Sequence, residues 1–300
     1  MKEIHPKRLA REERIKAWLA DKSHSHKKAH PFSKLVKLIF DGFGLTALGF
    51  RNTQRITRKH IEVKSEKIGK AFNNFKIMFI SDFHLNGNPL LIKPIQQILQ
   101  EEEVDIYLLG GDYQVNAFGN YQVIKSLYTQ LFAVIDTSKV YGVLGNHDEY
   151  KIAEILNDLG VNMLINDYLK LTREDDSLII SGIDDSDRYL SYEFPKLRDE
   201  ANNYKILLTH SPNVYKEAQQ KGYNLLLAGH THSGQICYPG GIPIVRFTKF
   251  PRKYSYSLWK YRDMQGYTTA GVGNTWVNVR FFCPPEVAII TLKSISQKEN

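Results

Sequence analysis

Cysteine, N-terminal acid and long apolar runs are all scarce in this sequence, and each shortage excludes something. Cys237 and Cys283 are the only cysteines among 300 residues. Two cysteines give no readable disulfide framework, and buried thiols, compatible with a reducing, cytosolic compartment, are the expectation. The first 30 residues are densely charged and hold no apolar core of a secretory signal. The most apolar N-terminal stretch, residues 35–50, is only 16 residues long and carries Lys37, Asp41 and three glycines. It is a poor membrane span. Acid is missing mainly at the start: residues 1–70 hold 18 Lys/Arg against 7 Asp/Glu, whereas the remaining 230 hold 22 against 25. The basic character therefore belongs to the N-terminal segment, which suits an anionic surface, lipid or nucleic acid. The nearly neutral body shows no need of a polyanion.

That segment also has helical patterning. Phe32, Leu35, Val36, Ile39, Phe40 and Phe43 recur at i, i+3, i+4, i+7, i+8 and i+11, with Lys34, Lys37 and Asp41 elsewhere on the wheel. An amphipathic helix with basic flanks fits an interfacial membrane helix, each basic residue near an anionic surface adding about 1 kcal/mol. The alternative is a helix docked on the protein's own core or on a dimer partner. The chain is expected to divide into a basic N-terminal segment, residues 1–70, and a folded domain, residues 71–300. His24, His26 and His30 lie in Lys-rich polar sequence and read as solvated surface.

From Phe75 the order becomes regular. Short apolar runs at 76–81, 105–110 and 140–144 predict strands, alternating with helices over 90–102, 121–133 and 151–159. Strands at 168–171 and 178–183 follow without a helix between them, and those at 205–209 and 224–228 flank a helix over 214–221. Residues 267–270 and 287–292 are expected as strands of a second sheet. The predicted fold is α/β: two mixed β-sheets packed as a sandwich flanked by helices. Ligand-bearing loops would then cluster at the carboxyl ends of strands.

The chemistry sits at those ends. Five histidines follow residue 60, namely His84, His147, His210, His230 and His232, each at or just past an apolar run. Neutral imidazole is the commonest metal ligand. Asp82 stands two residues before His84, and Asp112 follows a Gly-Gly pair that lets the backbone turn tightly. Asn146 offers a neutral oxygen. Taken singly, each has a plain structural reading as a turn or core residue. Together, Asp82, His84, Asp112, Asn146, His210, His230 and His232 exceed one tetrahedral zinc with an open position. They suit two ions sharing a carboxylate. A nitrogen–oxygen set without thiolate points to Mn, with Fe or Zn as alternatives.

In order, Asp82-Phe83-His84, Gly111-Asp112, Gly145-Asn146-His147-Asp148, a lone His210 and Gly229-His230-Thr231-His232 resemble the motifs of the calcineurin-like metallophosphoesterase superfamily. The resemblance covers residues 75–292. It implies one metal on Asp82, His84, Asp112 and His232, and a second on Asp112, Asn146, His210 and His230. It also implies that His147 faces the phosphate as proton donor or charge stabiliser, oriented by Asp148. Two divalent ions would activate a bridging water for in-line attack on phosphorus. Residues 232–236 and 279–287 look like the membrane-associated bacterial branch, which includes UDP-2,3-diacylglucosamine hydrolases of lipid A synthesis. That likeness implies UDP-2,3-diacylglucosamine as substrate, cleaved to lipid X and UMP. Many members of the branch carry an export signal or a membrane span; this sequence shows only the basic amphipathic entry, so a peripheral protein at the cytoplasmic face of the bacterial inner membrane is expected.

Residues 245–262 interleave basic and aromatic side chains. Such interleaving can stack single-stranded nucleic acid, seat a loop at a membrane interface, or form a hairpin with one buried aromatic face. The neutral body favours an amphiphilic phosphate or sugar nucleotide over nucleic acid, with Arg246, Lys249 and Arg280 as candidate phosphate contacts. A broader envelope phosphodiesterase, phosphatase or nuclease is the second expectation. A non-catalytic scaffold is disfavoured, because every implied ligand and His147 is present.

Overall fold

The computed structural model describes residues 4–20, 40–197, 203–244, 248, 250–275 and 277–295. Two six-stranded mixed sheets face each other. The first runs, in spatial order, through β1 (Thr57–Ser65), β14 (Glu286–Ser294), β2 (Lys76–Ile80), β3 (Ile106–Leu109), β4 (Val140–Gly142) and β5 (Asn162–Met163). The second runs through β12 (Ser257–Tyr261), β13 (Met264–Thr268), β9 (Leu225–Ala228), β8 (Tyr204–Leu208), β7 (Asp176–Gly182) and β6 (Asp167–Arg173). Strands β2 to β5 are parallel, as are β7, β8, β9 and β13. A short hairpin, β10 (Cys237–Tyr238) with β11 (Ile242–Pro243), stands apart from both sheets.

The central strands are apolar throughout because both faces are covered. In β2, Met78 and Ile80 point to the helices, while Ile77 and Phe79 point between the sheets. The inner layer joins Phe79, Leu108, Ile290 and Leu292 to Ile180, Ile206, Leu208 and Leu227 of the second sheet. Each such side chain, fully buried, contributes about 1.5–3 kcal/mol. Outside the first sheet lie α3 (Ile92–Glu101), α4 (Tyr121–Phe132) and α5 (Tyr150–Asp158). Ile95, Leu131 and Leu156 show how their apolar stripes close the outer core. Outside the second sheet, α6 (Tyr215–Gln220) packs with Tyr254 and Trp259. Of the aromatic residues in 245–262, Trp259 of the β12–β13 hairpin and Tyr254 before it are buried, Tyr256 is exposed, and residues 245–247 and 249 lie outside the described residues.

Two expectations change. Residues 287–292 belong to the first sheet, where β14 lies parallel to β1 and antiparallel to β2. Its apolar run fits the centre of either sheet, so composition alone does not choose. The basic segment, drawn to residue 70, includes β1, which is integral to the sheet. As an edge strand it exposes Arg58, Lys59 and His60, so its charge matched the N-terminus while its backbone belongs to the domain.

Two N-terminal helices also dock. In α1 (Pro6–Ala20), Arg8 is fully buried. In α2 (Leu45–Thr53), Gly49 lies so close to Val279 and Phe281 that a Cβ would strike both side chains. The Phe40 ring meets Phe281 at 5.1 Å, whereas Phe43 and Leu48 are exposed. The apolar positions before Phe40, together with Arg246, Lys249, His24, His26 and His30, lie outside the described residues. Among the described residues no helix is long and apolar enough to cross a membrane.

Candidate metal centre

Every predicted ligand follows the carboxyl end of a strand: Asp82 and His84 after β2, Asp112 after β3, Asn146 after β4, His210 after β8, and His230 and His232 after β9. The facing sheets bring these ends together. Five of the seven adopt left-handed backbone: Asp82 (φ 56°), His84 (44°), Asp112 (57°), His230 (71°) and His232 (48°). Each costs about 1–3 kcal/mol and persists only where the surroundings fix it. Two close approaches do so. A Cβ on Gly145 would collide with the Asp112 carboxylate, and one on Gly229 with Ser81 and the Asp82 carboxylate.

The donor atoms converge in two overlapping groups. Asp82, His84 and His232 form one, with His232 Nε2 3.4 Å from Asp82 Oδ1. Asp82, Asp112 and His210 form the other, with His210 Nε2 3.3 Å from Asp112 Oδ2. Asn146 Oδ1 lies 2.9 Å from His210 Nε2 and 2.8 Å from His230 Nδ1, which extends the second group toward solvent. His84 Nε2 is 3.6 Å from Asp112 Oδ2, so the Asp112 carboxylate touches both groups. His84 and His210 donate Nδ1–H to the carbonyls of Gln114 and Gly110, both at 2.8 Å, which turns each Nε2 inward.

These residues fit divalent cations. His84 Nε2 is buried and has no hydrogen-bond partner among the described residues, as befits a nitrogen kept for a metal. Burial holds His84 and His230 down to about 4 and His232 well below the usual imidazole range, so all three offer neutral imidazole. Burial likewise pushes Asp82 up to about 6. Burial opposes ionisation of Asp112 too, but His210, His147 and His84 outweigh it and hold the carboxyl well below the usual range. His210 is the counterpart. Burial disfavours its charge, yet Asp112 and Asp82 raise it to about 10. A proton on His210 thus stands where a cation would balance the two carboxylates, and metal binding would release it.

Three predicted site residues sit elsewhere in the arrangement. His147 is half-buried, and its Nδ1–H donates to the Val115 carbonyl, which leaves Nε2 for a substrate. Asp148 does not orient that ring. It is fully buried, and its two oxygens accept from the amides of Asp112 and Gly145, both at 2.8 Å, and of Tyr113 at 2.9 Å. It ties the Asp112 turn to the Asn146 turn, so it is a positioning residue. Burial and Asp112 push its carboxyl up to about 7, against three amide donors that favour the ionised form. Arg280 is not a phosphate contact either. It is fully buried, and its guanidinium donates to the carbonyls of Ala270, Gly271, Gly273 and Cys283 and to Asn274 Oδ1. Its positive charge made it a candidate phosphate contact; the fold uses its donors to organise the loop behind His232, whose Nδ1 is 3.5 Å from Nη2.

One contributing element lies outside the sequence motifs. After β7, residues 184–191 form a turn whose tip reaches the centre: Asp187 Oδ2 is 3.8 Å from His230 Nε2, and Arg188 Nη1 is 3.3 Å from the Asn146 carbonyl. The sequence signal was an Asp pair, Asp184-Asp185, directly after an apolar run, the same placement that flagged Asp82.

The arrangement of loops around one doubly carboxylated, histidine-rich centre defines a metal-dependent phosphoester hydrolase. The chain belongs to the calcineurin-like phosphoesterase family, whose model matches residues 75–234. Among curated relatives, it is 30% identical to the metallophosphoesterase YkuE of Bacillus subtilis (strain 168), over 77% of this chain and 84% of the relative. It is 27% identical to YkoQ of the same organism, over 79% and 90% respectively. It is 28% identical to the phosphodiesterase YaeI of Escherichia coli (strain K12), over 73% and 82%.

Proposed function

We propose that this hydrolase cleaves a phosphodiester or pyrophosphate bond in an amphiphilic substrate, with UDP-2,3-diacylglucosamine, yielding lipid X and UMP, the member of that class to test first. The observation that carries the amphiphilic reading is a cavity of about 380 Å³ between the edge strands β1 and β12. It reaches Ser233, next to the ligand His232, and is lined by Tyr256, Leu258 and Phe282 with Lys59 at its rim. All three apolar side chains are exposed, as are Tyr238 and Ile242 of the β10–β11 hairpin. Exposed apolar surface collected beside a polar centre suits a ligand with apolar chains.

Asp82, His84, Asp112 and His232 would hold one divalent ion, and Asp112, Asn146, His210 and His230 the other, Mn²⁺ being favoured by the nitrogen–oxygen donor set. When bound, such ions stabilise phosphoryl charge and lower the pKa of a coordinated water. His147 keeps a nitrogen toward the substrate, where it can hold a proton for the leaving oxygen. Asp148 keeps the Asp112 and Asn146 turns in register. The basic N-terminal segment supports peripheral attachment to an anionic membrane, at its cytoplasmic face in a bacterium.

The second reading, a broad phosphodiesterase without need of acyl chains, is favoured by the likeness to YaeI. A substrate panel with Mn²⁺ separates the two. UDP-diacylglucosamine should be hydrolysed with a KM well below that of its unacylated sugar nucleotide, and single-stranded DNA should be inert. Equal KM values with and without acyl chains would establish the second reading. Sedimentation with anionic vesicles checks the membrane arm: changing Lys22, Lys27, Lys28 and Lys34 to Glu should abolish it, and unchanged pelleting would refute attachment through that segment.

A further inference from the structure

The turn at residues 184–191 is built more rigidly than a connecting loop needs. Asp185 is fully buried, and its carboxylate accepts from the amides of Asp187 at 3.2 Å and of Arg188 and Tyr189, both at 2.6 Å. Ser186 is bound to Asn213, in the loop after His210, by hydrogen bonds of 2.6 and 3.0 Å. From the other side, Arg8 of α1 binds Asp184 at 2.5 Å and the Asp148 carbonyl, and lies 3.8 Å over the Tyr189 ring. The turn is therefore fixed to the loops that bear two of the candidate ligands, His210 and Asn146.

At its tip the rigidity serves two charges. The Asp187 carboxylate faces His230 Nε2 at 3.8 Å, beyond hydrogen-bond length. Arg188 is different. It is half-buried, and its guanidinium makes one hydrogen bond among the described residues, to the Asn146 carbonyl at 3.3 Å. Among the described residues no carboxylate pairs with it. Beside a site that would hold two divalent cations, a guanidinium would be repelled once they bound, unless an anion lay between. Its planar donor array suits tetrahedral phosphoryl oxygens, to which it can give two bonds at once.

We propose that Arg188 binds the phosphoryl oxygens of the substrate across the mouth of the metal centre. The turn is the pre-formed support that holds the guanidinium there before substrate arrives. The assignment rests on the phosphodiesterase reading above, and the test separates the two.

Full-length protein loaded with Mn²⁺ is assayed on bis(p-nitrophenyl) phosphate, and inorganic phosphate binding is measured directly by calorimetry. Arg188→Ala should raise KM, and weaken phosphate binding, by roughly 10–100-fold, the range for a lost charge-assisted bond. Metal content and melting temperature should stay at wild-type values, and kcat should fall less than KM rises. Arg188→Lys should recover part of the affinity but not its bidentate share. Should Arg188→Ala fail to fold, Arg188→Gln carries the same measurement. Unchanged KM and unchanged phosphate affinity, with full metal content, would overturn the assignment. If wild-type protein binds phosphate through Arg188 yet hydrolyses no diester, the phosphodiesterase reading fails and the anion site stands.

Discussion

Arg280 and Arg8 are both fully buried, one behind His232 and the other behind Asn146 and Asp148, and their partners differ in kind. Arg280 spends its donors on four backbone carbonyls and one side-chain amide. Among the described residues it has no carboxylate in contact, and burial pulls its pKa down. Arg8 is instead paired, to Asp184 at 2.5 Å and Glu12 at 2.7 Å. Burial disfavours its charge, but Asp184 and Glu12 outweigh that and raise its pKa. On the His232 side a cation organises backbone; on the Asn146 side an ion pair clamps an N-terminal helix onto the loops. The difference teaches that the two halves of one centre depend on different physics: donor count and geometry in the first, charge balance in the second.

Substitutions can break that contrast. The largest effect is expected from Arg280→Ala, which leaves the buried carbonyls of Ala270, Gly273 and Cys283 without their donor, at about 1–3 kcal/mol each before relaxation. A stability loss of roughly 4 kcal/mol or more in urea unfolding should accompany loss of metal from the Asp82, His84 and His232 group. Arg280→Lys should do little better, since the ammonium has fewer donors than the acceptors it would have to serve. Arg8→Ala should cost about 3 kcal/mol, the low end for breaking a buried pair. Asp184 would keep the Ser191 hydroxyl at 2.5 Å and the Asp185 amide at 2.8 Å. Metal content should hold, while KM for a diester rises because the turn bearing Arg188 loosens. Arg8→Lys keeps the charge and should recover at least half of that loss. Equal behaviour of the two lysine variants would remove the distinction between the halves.

Much of this was legible in the sequence, for definite reasons. Strands such as β2 and β8 are buried on both faces, so they appear as unbroken apolar runs, and the polar residue that ends each run falls at the sheet's edge. That is why Asp82, Asp112, Asn146 and His210 could be chosen from position alone. Arg8, Asp148 and Arg280 were not legible in the same way. A buried charge and a catalytic charge look alike in sequence; only the partners distinguish them, and those lie 140 residues away for Arg8 and the Asp148 carbonyl. Arg188 escaped because no motif contains it. The place of β14 escaped because chain order does not determine pairing.

That last feature bears on how the protein comes into being. Strand β14 lies between β1 and β2, so the first sheet has a gap until residues 286–294 arrive. Its contacts with the loop before β2 span 221 residues, as between Ser294 and Asn73. Closure over such separations is slow. During synthesis, β1 and β2 wait with open edges while Asp82 and His84 are already made. The cage for the cations is thus completed late in folding, and a nascent chain offers metals only fragments of it.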